Sequence, residues 1–266
     1  MNYALITGAS SGIGLNFAQC LYNSGYSIVI VSNRPDENIK AKELIGSSGG
    51  NGRQEIRTID ADLSLSDAAE NIFKTTENWK IRIDILVCNA GMLLFSTLDN
   101  TPTEKLEKII NLHCMTTTKL VRLYGKGMSE RKEGYLLITS SSTAWMPYPT
   151  ISHYAATKAY LKSFSMAIWY EYRRNNVKVT TVYPGAVDTP LYRLSIRKRK
   201  VLRMLGIMQT PEAVASGELK RMFAGKQTYI PGFFTKTSIA LCRILPRCIF
   251  VLLLKLPILK KILDNA

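Results

Sequence analysis

Histidine is scarce in this chain, paired cysteine is missing and acids are outnumbered, and each shortage removes a class of function. The 266 residues include two histidines, His113 and His153, in different segments with no cysteine or carboxylate at ligand spacing, so no metal site is expected. Five cysteines, Cys20, Cys88, Cys114, Cys242 and Cys248, are odd in number, scattered and never in a C-x-x-C pair. That usage fits free thiols in a reducing compartment and argues against a structural zinc. The carboxyl-terminal third also lacks an unbroken apolar stretch of about 20 residues, the length that crosses a bilayer. Its longest run, CIFVLLL at 248–254, is hemmed by Arg247 and Lys255, with Pro246 and Pro257 close by. A glycine loop beginning at Thr7 leaves no room for a secretory signal ahead of it, so the amino end is expected to be mature from the start and the protein cytoplasmic.

What is present points elsewhere. Lys and Arg number 35 against 20 Asp and Glu, and the net charge of +15 favours an anionic partner: a phosphorylated cofactor, a nucleic acid or an acidic membrane surface. A hydrophobic fraction of 46% over this length suits one substantial core. Apolar runs rich in β-branched residues alternate with longer stretches of helical period, the pattern of repeated βα units. Strands are predicted near 2–7, 26–32, 54–60, 83–88, 134–140, 177–183 and 227–230, and runs such as SIVIVS at 27–32 suit strands buried on both faces. Helix starts are marked at Thr101-Pro102-Thr103-Glu104, at Ser152 and at Thr210-Pro211-Glu212, where a capping residue precedes proline at the first helical position. The glycine-rich GSSGGNG at 46–52 is a connection into the third strand. The fold class is therefore α/β, a doubly wound parallel sheet of about seven strands with helices on both faces and a helical carboxyl-terminal extension. The expected division is a catalytic unit at 1–232, including a lid at 190–208, and a basic-apolar extension of the same domain at 233–266.

Two constellations carry chemistry. TGASSGIG at 7–14 sits between the first strand and first helix, where free N–H groups and the helix dipole favour a phosphate. A side chain at Gly8, Gly12 or Gly14 would impede the turn, the approach of a pyrophosphate or helix–strand contact. The alternative is a tight βα turn with no ligand. In SSSTAWMPYPTISHYAATK, Tyr154 and Lys158 are four apart on a predicted helix and share a face. A phenol near its reference pKa of about 10 is a poor acid or base at neutrality, and a neighbouring ammonium favours its ionised form. Ser141, at the end of the fifth strand, can donate to a substrate oxygen as charge develops there.

Across nearly the whole chain these residues resemble the short-chain dehydrogenase/reductase family, a single-domain Rossmann type, nearest to its branch of lipid-acting ketoreductases. Thr-Gly-x-x-x-Gly-x-Gly stands at 7–14, the family's Asn-Asn-Ala-Gly as Cys88-Asn89-Ala90-Gly91, its helix asparagine as Asn111, its serine as Ser141, its Tyr-x-x-x-Lys as Tyr154 and Lys158, and its Pro-Gly as Pro184-Gly185. Two departures are Cys88 for the first asparagine and Ala144 where a glycine often follows the serine. The resemblance implies that Tyr154 is general acid in reduction and general base in oxidation. Lys158 would lower the tyrosine pKa and hold the nicotinamide ribose, Ser141 would polarise the carbonyl, and Asn111 would hold a water linked to Lys158. It implies a cofactor site of Gly8, Ser10, Ser11, Gly12, Ile13 and Gly14 in the loop, Asp62 and Leu63 at the adenine, Asn89, Ala90 and Gly91 along the adenosine, and Pro184, Gly185, Val187 and Thr189 around the nicotinamide.

At the end of the second strand an NAD enzyme usually carries an acid, whereas this chain has Ser32, Asn33 and Arg34. NADP(H) is thus favoured over NAD(H); the competing reading leaves Arg34 pointing to solvent. The substrate class expected is a hydrophobic ketone or alcohol, such as a 3-ketoacyl or 3-ketosphinganine compound. A hydroxysteroid or other secondary-alcohol dehydrogenase is the alternative enzyme, and a non-catalytic NADP(H)-sensing or scaffold protein the alternative of another class. The basic run at 193–203 lacks an aromatic platform, so no nucleic acid is expected. The segment 233–263 reads as a peripheral membrane contact or as a cap or subunit contact, and the resemblance implies a homodimer or homotetramer.

Overall fold

The computed structural model of the chain describes residues 2–146, 149–191 and 195–244. Strands and helices alternate as β1 (Tyr3–Thr7), α1 (Gly12–Asn23), β2 (Ser27–Ser32), α2 (Pro35–Gly46), β3 (Ile56–Asp60), α3 (Ala68–Asn78), β4 (Ile83–Cys88), α4 (Thr103–Ile110), α5 (Thr116–Glu130), β5 (Gly134–Thr139), α6 (Ser152–Arg173) and β6 (Val177–Val182). There follow β7 (Ala186–Val187), α7 (Ile196–Met204), β8 (Met208–Gln209), α8 (Pro211–Phe223), β9 (Thr228–Tyr229) and α9 (Phe233–Ile244). Seven strands form one parallel sheet in the order β3-β2-β1-β4-β5-β6-β9, and β7 pairs with β8 in a separate parallel ribbon. All seven strands predicted from the sequence are in that sheet.

The period of two sorts each strand's side chains onto opposite faces. Leu5, Val29, Val31, Leu86, Leu136, Ile138 and Val179 pack with Ala69 and Ile72 of α3, Leu120, Val121 and Tyr124 of α5 and Leu161 and Ile168 of α6. Ala4, Ile6, Ile28, Ile30, Ile85, Val87 and Leu137 pack with Phe17 and Leu21 of α1, Ala41 and Ile45 of α2 and Leu219 and Met222 of α8. Both faces being covered is why β1, β2 and β4 are buried along their whole length and read as continuous apolar runs. The strand order reverses between β1 and β4, the switch point beyond whose carboxyl ends a doubly wound sheet binds its ligand.

Among the buried polar residues, one carboxyl group stands without a partner in the core. Glu218 of α8 is fully buried and neither carboxyl oxygen has a hydrogen-bond partner, so burial pushes its pKa well above the usual carboxylate range. A raised folded-state pKa stabilises the fold below the unfolded value, and that stability is lost as pH rises towards the folded one. Glu218→Met, similar in reach and apolar, is therefore expected to be more stable than the native chain at pH 8 by about 1–3 kcal/mol. Thermal melts at pH 5 and pH 8 check this, since the gain should shrink at the lower pH.

Candidate active site

The loop between β1 and α1 is shaped by glycine where the backbone demands it. Gly8 has φ +69°, and a Cβ there would stand 2.9 Å from the Ala90 Cα; a Cβ on Gly14 would collide with the Gly8 carbonyl. Thr7 bolts this turn to the one after β4. Its hydroxyl donates to the Val87 carbonyl (3.3 Å) and accepts from the N–H groups of Asn89 (2.9 Å) and Ala90 (3.0 Å). The Asn89 amide returns a bond to the Thr7 carbonyl (3.2 Å). At the start of α1, Ser11 is extended, its hydroxyl caps nothing and the first turn holds no acid. Those N–H groups thus remain for an anion, whereas α8, with no such role expected, is capped by the Thr210 hydroxyl and carries Glu212 in its first turn. The closeness of backbone around Gly8 and Gly14, and this uncapped helix start, fit a dinucleotide pyrophosphate.

At the end of β2, the Ser10 and Ser32 hydroxyls lie 3.0 Å apart, and the Arg34 N–H donates to Ser32 Oγ (3.2 Å). Asn33 is exposed. Arg34 is exposed, and its Nη1 lies 2.8 Å from Glu37 Oε1, while Ser10 Oγ donates to Glu37 Oε2 (3.3 Å). A carboxylate absent from the end of β2 thus arrives from the first turn of α2, a residue that sequence reading missed. Asp62, after β3, accepts from the N–H (2.9 Å) and hydroxyl (2.7 Å) of Ser64, which hold its pKa below the ordinary range. Leu63 is buried beside it, its carbonyl accepting from Thr116 Oγ1 (2.7 Å).

Asn111 opens a π-helical turn, Asn111–Met115, between α4 and α5, and its carbonyl accepts from Thr116, five residues on. Such single turns inside a longer helix are frequent at functional sites. Ser141, two residues beyond β5, has extended backbone, and its Oγ accepts from the Thr143 N–H (3.2 Å). Tyr154 and Lys158 are buried one turn apart on α6. Lys158 Nζ donates to the Thr139 carbonyl (2.9 Å) and sits 5.6 Å from the Tyr154 ring centre, while Ser140 Oγ donates to the Lys158 carbonyl (2.7 Å). Burial lowers the Lys158 pKa to about 8. The Tyr154 ring packs on Ile109 and Ile151, so its surroundings on that side are apolar. His153 is buried too, and desolvation lowers its pKa.

The segment 184–189 passes beside this group. The Pro184 carbonyl accepts from the Ser142 N–H (3.0 Å), Val187 is in β7, and a Cβ on Gly12 would lie 3.2 Å from Thr189. Gly185 is pressed against Thr235 of α9. The basic run predicted as a lid is in part α7, whose Arg199 (3.2 Å) and Arg203 (3.5 Å) both pair with Asp188 and so tie the helix to that segment. Of the predicted extension at 233–266, only α9 lies among the described residues, with Phe233, Phe234, Leu241 and Ile244 exposed. Cys248 and the apolar run at 248–254 lie outside them. No helix among the described residues is long and apolar enough to cross a membrane.

The profile of the short chain dehydrogenase family matches residues 2–200, and the chain belongs to that family. It is 34% identical over 200 residues to a very-long-chain 3-oxoacyl-CoA reductase of Rattus norvegicus, a match covering 72% of this chain and 61% of the rat protein. The chain thus spans about three fifths of that relative's length. It is 30% identical to a 17-beta-hydroxysteroid dehydrogenase type 3 of Danio rerio, covering 85% of this chain and 72% of that one. Among solved structures, a metagenomic short-chain oxidoreductase in complex with NADP superposes with a TM-score of 0.72 at 25% identity, over 86% of this chain and 96% of the other.

Proposed function

We propose that this protein is an NADP(H)-dependent ketoreductase that interconverts a hydrophobic, lipid-like ketone and its secondary alcohol. The observation that carries the reading is the buried Lys158 ammonium, anchored on the Thr139 carbonyl and 5.6 Å from the Tyr154 ring. A nicotinamide cofactor held beyond the carboxyl ends of β1 and β4 would supply or take the hydride. Tyr154 gives its phenolic proton to the carbonyl oxygen in reduction and takes it back in oxidation. Lys158 stabilises the phenolate left behind, and Ser141 donates to the substrate oxygen as negative charge gathers. Asn111 stands at the π turn to hold a water that reconnects Lys158 with solvent. The rat and zebrafish relatives, named for a 3-oxoacyl thioester and a hydroxysteroid, support an apolar substrate with one reacting carbonyl. A panel of 3-oxoacyl thioesters and ketosteroids, followed by NADPH and NADH absorbance in parallel, tests the reading. Oxidation of NADPH by a member of the panel is expected, and none by a folded, NADPH-binding protein would contradict it.

The cofactor preference has its own determinant. Ser32, Asn33 and Arg34 suit a 2′-phosphate, while Glu37 both occupies Arg34 and sets a negative charge beside Ser10 and Ser32. Glu37→Gln removes the charge and releases Arg34 while keeping the side chain's size. NADPH is expected to bind roughly 10-fold tighter, the equivalent of one charge-assisted hydrogen bond, with NADH little changed. Fluorescence titration of both cofactors measures it, and equal changes for the two would assign Glu37 no part in the discrimination.

A further inference from the structure

We infer that His113 is a positioning residue, the buried clamp that fixes Tyr154 and the turn after β4 against the π-helical segment carrying Asn111. The inference rests on the ketoreductase reading and adds a part to it. His113 is two residues past Asn111 and 1% exposed. Two elements, the turn after β4 and α6, meet on its ring. Nε2 accepts from the Met92 N–H (3.1 Å), in the turn that continues Asn89 to Gly91. Nδ1 lies 2.8 Å from Thr157 Oγ1, and that hydroxyl donates to the Tyr154 carbonyl (2.8 Å). The ring itself stands edge-on to Tyr154, with centres 5.6 Å apart and planes at 77°.

Those partners leave one consistent assignment of protons. Met92 offers a donor, so Nε2 must be bare; Nδ1 then carries the proton and gives it to Thr157, whose own hydroxyl hydrogen goes to Tyr154. A second proton on the ring would set two N–H groups face to face. Desolvation, and after it the Lys158 charge, hold the His113 pKa well below its ordinary value, so the neutral form persists. The titratable groups around it are Lys158 and Tyr154 from α6 and Cys114 on its own segment; the turn after β4 meets it through backbone at Gly91 and Met92. His113 therefore spends both ring nitrogens on geometry and adds no charge that would compete with Lys158 at Tyr154. A satisfied histidine that merely filled the core would need neither a link to the Tyr154 carbonyl nor an edge on its ring.

Three substitutions in the full chain separate these roles. His113→Phe keeps a ring and loses both hydrogen bonds, His113→Asn keeps a donor where Nδ1 stands, and His113→Gln keeps an acceptor where Nε2 stands. For His113→Phe, kcat is expected to fall roughly 10²-fold, the cost of displacing a reacting group by about 1 Å. The alkaline limb of its rate profile should also move upward as the phenol leaves the Lys158 charge. His113→Asn should recover most of kcat and the native profile, because a donor to Thr157 Oγ1 is restored, and His113→Gln should not. A folded His113→Phe with native kcat and an unchanged pH profile would overturn the inference, as would equal losses in all three variants. Nitrogen-15 NMR of the native protein gives a test that needs no variant and no substrate. A neutral ring protonated at Nδ1 is expected, and protonation at Nε2 would overturn the assignment even if no ketone is ever turned over.

Discussion

Tyr154→Phe is expected to lower ketone turnover by about 10³-fold or more while NADPH binds as before. The substitution deletes one oxygen. The ring keeps its contacts with Ile109 and Ile151 and its edge-on partner His113, so the cleft wall survives. What is lost is the one proton donor the mechanism places at the carbonyl oxygen, and a positioned general acid contributes 10²–10⁴-fold on its own. The pyrophosphate site proposed at the Gly8 to Gly14 turn lies elsewhere, which is why affinity for the cofactor should be untouched. Stopped-flow turnover and a fluorescence titration on the same sample separate the two quantities. A nucleotide-sensing scaffold would show no functional change, and a variant that kept more than a tenth of native turnover would remove Tyr154 from the proton-donor role.

Lys158→Met is the second large effect. Methionine matches the stem of the lysine but carries no charge, so kcat is expected to fall about 10²–10³-fold, with the optimum for alcohol oxidation moving up towards the ordinary phenol range near 10. Stability should move the other way. Burial lowers the folded-state pKa of Lys158 from 10.5 to about 8. Between those values the unfolded chain binds a proton that the folded chain does not, so native stability climbs as pH rises through that window, and the full penalty is felt below it. The methionine variant should therefore melt higher than the native chain at pH 7 and lose the rise on the alkaline side. Urea midpoints at pH 7 and pH 9.5 measure both; a variant less stable at pH 7 would mean that the Thr139 hydrogen bond outweighs the cost of the buried charge.

Much of the scaffold is legible in the sequence. SIVIVS at 27–32 and DILVC at 84–88 are uninterrupted because both faces of β2 and β4 are covered, and Thr210-Pro211-Glu212 is a capped helix start. The two-residue strands β7 and β8 left no periodic signal, since a pair so short has no alternation to show. The π turn at Asn111 was hidden for a different reason: it changes a hydrogen-bond register inside a continuous helical pattern, and its cause is tertiary. In the candidate site, the placing of Tyr154 and Lys158 one turn apart followed from their spacing. Glu37 and His113 did not, because each acts on groups far away in sequence or on the next element, Ser10 for one and Met92 and Thr157 for the other. Only the Arg34 to Glu37 spacing of three, on the first turn of a helix opened by Pro35, hinted at the pair.

The central claim is that hydride passes between a nicotinamide cofactor and a ketone carbon beside Tyr154. NADPH deuterated at the transferable position of its nicotinamide, mixed with the purified chain and a 3-oxoacyl thioester, tests that claim most directly by mass and NMR analysis of the product. The account predicts a secondary alcohol carrying deuterium on the carbinol carbon. An unchanged ketone, or an alcohol without the label, from protein that binds NADPH would contradict it.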